Sequence, residues 1–179
     1  MTELANYLVV NTQLDSSASV DALDSLVDRF ASIVRLKRKR AAGIYDVFMC
    51  HHSEDKPEVK AVGELLKERG YLPWLDEWEL QPGLIWQAEL QNQLQAVESA
   101  AIFVGSSGIG PWQNVEINAI LRQFVERGRP AIPVILPSCK HIPELPLFLS
   151  GHTWVDFRML DPDPLKRLIW GFTGNRHSP

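Results

Sequence analysis

Cysteine is scarce in this 179-residue chain, which has only Cys50 and Cys139. The two residues show neither the close spacing of a metal site nor the paired pattern of a disulfide framework. Such sparse use of cysteine is typical of proteins from a reducing compartment, and we expect a cytoplasmic protein.

Long hydrophobic runs are also missing. No apolar segment approaches the roughly 20 residues that a membrane-spanning helix needs, and the first residues lack the basic-then-apolar pattern of a signal peptide. Internal repeats and low-complexity segments are absent too. With 45% hydrophobic and 22% charged residues, the sequence predicts one globular domain of ordinary size with an appendage.

A general excess of basic residues is absent, since the net charge is −4. Five basic residues are concentrated within residues 35–40, so the rest of the chain is more acidic than the total suggests. An acidic body argues against broad nucleic-acid binding. The basic run could contact anionic lipid or nucleic acid, but we favour a solvated helix end and linker.

Residues 1–40 differ in pattern from the rest of the chain and are predicted to be a helical N-terminal extension. Apolar residues recur at helical spacing between residues 19 and 38, which indicates an amphipathic helix. These residues are Val20, Leu23, Leu26, Val27, Phe30 and Val34. The apolar stripe must be covered either by the main domain or by another chain, so the helix is a candidate for self-association.

From Gly43 onward, strand and helix patterns alternate. We predict strands at residues 44–50, 72–76, 100–104, 129–136 and 153–157, separated by helices and by a loop at residues 77–83. Pro73 is compatible with a strand only at a sheet edge, and Pro133 removes a donor from the fourth strand. Five strands alternating with helices predict a flavodoxin-like, doubly wound, five-stranded parallel sheet.

The stretch at residues 110–116 is the strongest candidate for chemistry. It comes after the third strand and a loop of small residues, and Pro111 is a helix-start signal. Trp112 and Glu116 are then one turn apart on the same helix face. Ligands bind at the carboxyl ends of the strands in open parallel sheets, which is where this helix begins.

Together these motifs make residues 43–174 resemble a TIR (Toll/interleukin-1 receptor) domain of the bacterial type, with residues 175–179 as a tail. The resemblance rests on three motifs in the family's order: residues 45–51 at the first strand, residues 70–83 at the second strand and its Pro-Gly loop, and Trp112-x-x-x-Glu116. The first motif departs from the family's common Ser-Tyr pair, because this chain has Cys50-His51-His52 there.

The resemblance implies an NAD+-cleaving enzyme with Glu116 as the essential carboxylate; the alternative is a non-enzymatic TIR–TIR interaction module. NAD+ would be the substrate, and no cofactor is implied. Because nicotinamide is already a cationic leaving group, one carboxylate that stabilises the oxocarbenium-like transition state can suffice. TIR domains also generally signal as assemblies, in immune or cell-death responses, so self-association is expected.

Other residues near these motifs are candidate substrate contacts. Trp86 could stack on a flat ring or pack in the core, and Trp112 could contact substrate or orient Glu116. His51 and His52 lie in the altered first motif, and the loop containing Ser106 could offer backbone N–H groups to a pyrophosphate.

Three other chemistries are disfavoured by the sequence. Adjacent histidines cannot easily face one ion, so we expect no metal site. Cys50 ends a buried strand and is expected to be inert rather than nucleophilic. A receiver-like phosphoacceptor domain, which has the same fold, would need an acidic cluster that the strand ends lack.

Overall fold

The structure is a computed structural model that describes residues 16–79, 92, 96–107, 115–141 and 145–176. The chain forms a long helix, which is followed by alternating strands and helices. The N-terminal helix is α1 (Ser16–Ala41). The next elements are β1 (Val47–Cys50), a 3-10 turn (Ser53–Asp55), α2 (Lys56–Glu68), β2 (Pro73–Trp74) and α3 (Asp76–Glu79). The second half contains β3 (Ala100–Val104), α4 (Val115–Glu126), β4 (Ala131–Ile135), α5 (Leu147–Ser150), β5 (Val155–Asp156) and α6 (Pro164–Thr173).

The strands form one five-stranded parallel sheet in the order β2-β1-β3-β4-β5. Successive strand residues point to opposite sides of a sheet. Helices cover both of these sides. Val47 and Met49 of β1 belong to the core that includes residues of α2 and α6. Phe48 and Cys50 belong to the core that includes residues of α4. The predicted doubly wound parallel fold is confirmed.

Both strand prolines fit the sheet. Pro73 lies in β2, which is an edge strand as expected. Pro133 lies in the interior strand β4, opposite Ile102 of β3. In a parallel ladder alternate residues bond to the same neighbour, and the Leu136 N–H donates to the Val104 carbonyl. The nitrogen of Pro133 therefore faces the β5 side, where pairing begins only at Val134, so no bond to β3 is lost.

Local sequence signals set the helix ends. Gly70 and Gly128 come after α2 and α4 with φ of 78° and 71°, a conformation that costs glycine little. At the start of α6, the Asp163 carboxylate accepts hydrogen bonds from the Leu165 and Lys166 N–H groups, and Pro164 occupies the first turn. These ends agree with the pattern in the sequence.

The C-terminal end of α1 is tied to the sheet domain. Lys39 Nζ donates to both carboxylate oxygens of Asp46 at 2.8 and 2.7 Å, and Arg40 Nη2 lies 2.5 Å from Glu79 Oε1. The preference for a solvated helix end is therefore wrong for Lys39, whereas Arg40 binds Glu79 and stays exposed. The helix is also longer than the predicted residues 19–38, since it runs from Ser16 to Ala41.

The predicted loop at residues 77–83 is wrong in its first part, because Asp76–Glu79 forms the single helical turn α3. The last residue of this turn, Glu79, accepts hydrogen bonds from residues outside the segment. The donors are the Arg40 guanidinium and the Tyr45 hydroxyl, and the second bond is 2.7 Å long. Residues 80–91, which include the Pro82-Gly83 bend, lie outside the described residues.

Candidate functional site

The region between the carboxyl ends of β1 and β3 is called the crevice. The chain passes from β1 to β2 on one side and to β3 and β4 on the other. This reversal of direction is the topological switch point, where open α/β sheets bind ligands. The loops after β1 and β3 meet here.

Asp55 and Gly105 lie against each other in the crevice. Asp55 is only 2% exposed and ends the 3-10 turn after β1, while Gly105 comes directly after β3. A Cβ atom placed on Gly105 would lie 2.2 Å from Asp55 Oδ1, so a side chain at position 105 would require the carboxylate to move.

One oxygen of this carboxylate has no hydrogen-bond partner. Within the described part of the chain, Asp55 Oδ2 is the buried side-chain polar atom left in this state. Asp55 is also the N-cap of α2, yet its side chain makes no capping bond. Burying a carboxylate oxygen without a hydrogen bond costs free energy of folding. The position of Asp55 is therefore not explained by stability.

Hydrogen bonds join the three loops at the carboxyl edge. The Ser107 hydroxyl donates to the Glu54 carboxylate, linking the loops after β3 and β1. The Ser138 N–H donates to Glu58 Oε2 at 3.2 Å, linking the loop after β4 to α2. Polar groups therefore fix the relative positions of the loops that border the crevice.

Ser106 joins the same network through its backbone. Its N–H donates to Ser138 Oγ at 3.2 Å, and the residue itself is exposed. The N–H group of Ser106 that a pyrophosphate could have bound is thus used within the protein.

His51 is a buried, neutral member of the site. Its Nδ1 lies 3.1 Å from the Met49 carbonyl, which can only accept, so the proton is on Nδ1. Nε2 lies 3.8 Å from Asp76 Oδ1, and Lys56 holds the other Asp76 oxygen at 3.1 Å. Burial lowers the pKa of His51 below its ordinary 6.5. The hydrogen bond to the Met49 carbonyl and the charge of Asp76 both raise this pKa, but burial has the larger effect.

His52 has a different, local role. Its Nδ1 accepts a hydrogen bond from the Glu54 N–H at 3.2 Å and so caps the 3-10 turn. The two neighbouring histidines thus use their Nδ1 atoms in opposite ways, one as a donor and one as an acceptor. His52 supports the turn that carries Glu54 and Asp55.

Both cysteines are buried and free. Burial, with Asp76 nearby, raises the pKa of Cys50 to about 12, and burial also raises the pKa of Cys139. Because the thiolate is the nucleophilic form, neither thiol is activated for attack. The expected burial of Cys50 at the end of β1 is confirmed.

Glu116 is the second residue of α4, the helix that comes after β3. The structure describes its backbone there, whereas its side chain lies outside the described residues. Trp86 and Trp112 also lie outside the described residues. The structure thus brings His51, His52 and Ser106 to the carboxyl edge and leaves the contacts of the other three predicted residues as predictions.

Metal-ligating residues do not cluster in the part of the chain that is described: no three of its His, Cys, Asp or Glu side chains are arranged to hold an ion. Within the same residues, no helix combines the length and apolar character of a membrane span.

Sequence reasoning missed Asp55 and its contact with Gly105. The polar composition of residues 51–55 indicates a loop, although Ser53-Glu54-Asp55 before Pro57 is a helix-start signature. That signal could have found the turn. The burial of Asp55 depends on Gly105, which is 50 positions away, and no local pattern announces it.

Comparison with known proteins agrees with this architecture. A family model described as "TIR domain" matches residues 47–169. In Bacteroides thetaiotaomicron, the 2′ cyclic ADP-D-ribose synthase BtTIR is 26% identical over 92 residues, which are 50% of this chain and 32% of that protein. The match therefore spans about a third of the length of this relative.

A solved structure shows the same fold. The TIR domain of the Toll-related receptor TRR-2 from Hydra magnipapillata superposes with a TM-score of 0.55 at 19% identity, over 70% of this chain and 95% of that one. The TIR domains of the activated Roq1 resistosome give a TM-score of 0.48 at 17% identity, over 70% of this chain and 97% of theirs. Because the family model covers more than half of the sequence, this chain belongs to the TIR domain family.

Proposed function

We propose that this TIR domain cleaves NAD+ at the bond between nicotinamide and ribose, with Glu116 as the catalytic carboxylate. The observation that carries the proposal is the backbone position of Glu116 in the first turn of α4, directly downstream of the strand that borders the switch-point crevice. The partial match to a cyclic ADP-ribose synthase supports the same chemistry.

The proposed reaction needs few protein groups. Nicotinamide leaves with the electron pair of the C–N bond, and positive charge develops on the ribose ring. A carboxylate near the ribose stabilises that charge, and the amino end of a helix favours the ionised form of the carboxylate. Water then adds to the ribose carbon and releases a proton to give ADP-ribose, or a group of the same molecule adds to give a cyclic product.

The neighbouring residues have supporting roles in this proposal. Trp86 and Trp112 supply flat faces for a substrate ring or orient Glu116. His51, His52 and Ser106 shape the loops around the crevice. The enzyme acts in immune or cell-death signalling, and TIR–TIR contacts bring copies of the chain together.

The test is to incubate the purified protein with NAD+ and measure released nicotinamide by chromatography. We expect Glu116→Gln to lower turnover by about 100-fold or more, as loss of a transition-state interaction does, with an unchanged melting temperature. Glu126→Gln is the matched control, because Glu126 is an exposed carboxylate at the other end of the same helix. Full activity of Glu116→Gln would remove this residue from the mechanism.

A non-enzymatic interaction module is the second candidate, favoured by the exposed apolar side chains on α1. The same assay separates the two functions. Release of no nicotinamide by the parent protein, at any concentration at which it assembles, would leave the interaction module as the function.

A further inference from the structure

The outer face of α1 carries an uncovered apolar stripe. Five large side chains, each 47–60% exposed, lie along its middle turns: Leu23, Leu26, Val27, Phe30 and Ile33. The helix contacts the domain through a different face, since Ser32 and Arg35 approach Gly70 and Lys39 binds Asp46. Ile33 borders a cavity between α1 and α2, and the described part of the domain leaves the other four side chains available to a partner.

The spacing of the stripe identifies the kind of partner. Leu23, Leu26, Phe30 and Ile33 succeed one another at intervals of three, four and three residues. This alternation of three and four is the spacing of a seam between two helices, which averages about 3.5 residues. Val27 flanks the seam and widens it. A second helix, rather than a flat surface, fits this pattern.

Charge along α1 then favours one orientation. Residues 16–28 contain three aspartates and no basic residue, whereas residues 35–40 contain five basic residues. Lys37 continues the same spacing beyond Ile33. In a parallel pair, Lys37 would lie beside its own copy, and like charges repel. Lys39 and Arg40 bind Asp46 and Glu79 of their own chain. In an antiparallel pair, Lys37 lies instead beside residues 18–21 of the other helix, which include Asp21 and no basic residue.

We propose that α1 pairs with α1 of a second copy of this chain in an antiparallel, two-fold symmetric arrangement. Leu26 of one copy then faces Phe30 of the other, and Leu23 faces Ile33. The symmetry makes the same stripe serve both copies. This inference does not depend on the proposed enzymatic activity.

The first test measures the oligomeric state of the full chain by sedimentation equilibrium. We expect a dimer that Leu26→Asp and Phe30→Asp each weaken at least tenfold in dissociation constant, with unchanged circular dichroism. Ala31→Asp is the matched control: it adds the same charge at an exposed position of the same helix but off the stripe, and the dimer should persist. A monomeric parent, or a dimer that both stripe variants leave intact, would overturn the proposal.

The second test fixes the orientation with a short bis-maleimide cross-linker. Val27 lies near the two-fold axis of the antiparallel pair, so Val27→Cys should cross-link to its own copy. Leu23→Cys should not, because antiparallel pairing separates the two Leu23 positions, whereas parallel pairing would bring them together. The native cysteines are buried and give little background. Cross-linking through position 23 but not 27 would overturn the antiparallel arrangement.

Two other occupants of the stripe predict different results. If residues 1–15 of the same chain cover it, their deletion will expose the stripe and convert a monomer into an aggregating species. If the stripe enters lipid, the protein will float with phosphatidylserine vesicles, and Leu26→Asp will abolish flotation. Either result would overturn pairing between copies.

Discussion

The contact between Asp55 and Gly105 can be tested by adding one methyl group. Gly105→Ala should lower the free energy of unfolding by about 1–3 kcal/mol, because its Cβ would overlap the Asp55 carboxylate in a packed interior. In an Asp55→Ala background the same change should cost less, since the overlapping atoms are gone. Chemical denaturation of the parent, the two single variants and the double variant measures this coupling.

Gly151→Ala is the control for this double-mutant cycle. A Cβ at Gly151 would meet nothing within 4 Å, and its φ of −89° suits alanine. We expect a change within about 0.5 kcal/mol. An equal cost of Gly105→Ala with and without Asp55 would show that the Asp55 carboxylate is not what opposes a side chain at position 105.

His51 should make the stability of the protein depend on pH. Burial lowers its folded pKa below 6.5, so just below pH 6.5 the unfolded chain binds a proton that the folded chain does not. Stability from this residue is complete above pH 6.5 and is lost as the pH falls towards the folded pKa. The slope approaches about 1.4 kcal/mol per pH unit within that window.

Denaturation curves of the parent and of His51→Gln between pH 8 and pH 5 test the effect. The parent should lose more stability than the variant below pH 6.5, and the difference between them isolates His51 from the other titrating groups. Identical pH profiles would mean that the imidazole takes up its proton in the folded protein at its ordinary pKa.

At the scale of elements, Glu79 connects the N-terminal helix to the single turn α3. Its side chain is 9% exposed and accepts from Arg40 of α1 and Tyr45 before β1. Glu79→Gln keeps the size but removes the charge that both donors meet. We expect a loss of about 1–3 kcal/mol in the free energy of unfolding, typical of a charge-assisted hydrogen bond in a part-buried site.

Glu64→Gln provides the comparison. Glu64 pairs with Lys67 at 3.1 Å, but its side chain is 59% exposed, and exposed ion pairs contribute about 0–1 kcal/mol. The free energies of unfolding of both variants are measured by chemical denaturation. Equal effects would show that the tie between α1 and α3 adds no more than a surface ion pair.

Element boundaries show what local sequence can and cannot predict. The third strand, predicted at residues 100–104, is found there, because an apolar run in the middle of a sheet has a strong local signal. The strands β2 and β5, predicted at residues 72–76 and 153–157, have two residues each. Edge strands end where their single neighbour stops pairing, which is a property of the sheet rather than of the segment.

The candidate site also has parts that the local sequence predicts and parts that it does not. The order of the motifs located the carboxyl edge and the helix of Glu116, since both depend on periodicity and start signals. The helical turn Asp76–Glu79 and the burial of Asp55 depend on partners far away in sequence: Arg40 and Tyr45 for the turn, Gly105 for the aspartate. Such contacts exist only after the chain has folded.

For the whole molecule, α1 connects its apolar stripe to the start of β1 and to the segment that follows β2. Its apolar stripe faces outward, and its C-terminal end binds Asp46 and Glu79. Glu79 ends α3, a few residues before Trp86 in the sequence. Pairing of two copies through α1 would therefore restrain this end of the helix and, through Glu79, the start of the next segment.

This connection predicts that specific activity rises with protein concentration. If association favours the conformation in which the site is complete, a smaller fraction of a dilute chain than of a paired chain is competent for catalysis. Nicotinamide release per molecule should increase across the concentration range in which the dimer forms. Leu26→Asp should keep the low activity of the dilute parent at all concentrations, whereas Ala31→Asp should behave like the parent.

Deletion of residues 1–40 should also lower activity, although it removes the ties to Asp46 and Glu79 as well. A flat concentration series, with light scattering that shows a monomer throughout, would contradict the coupling of catalysis to assembly.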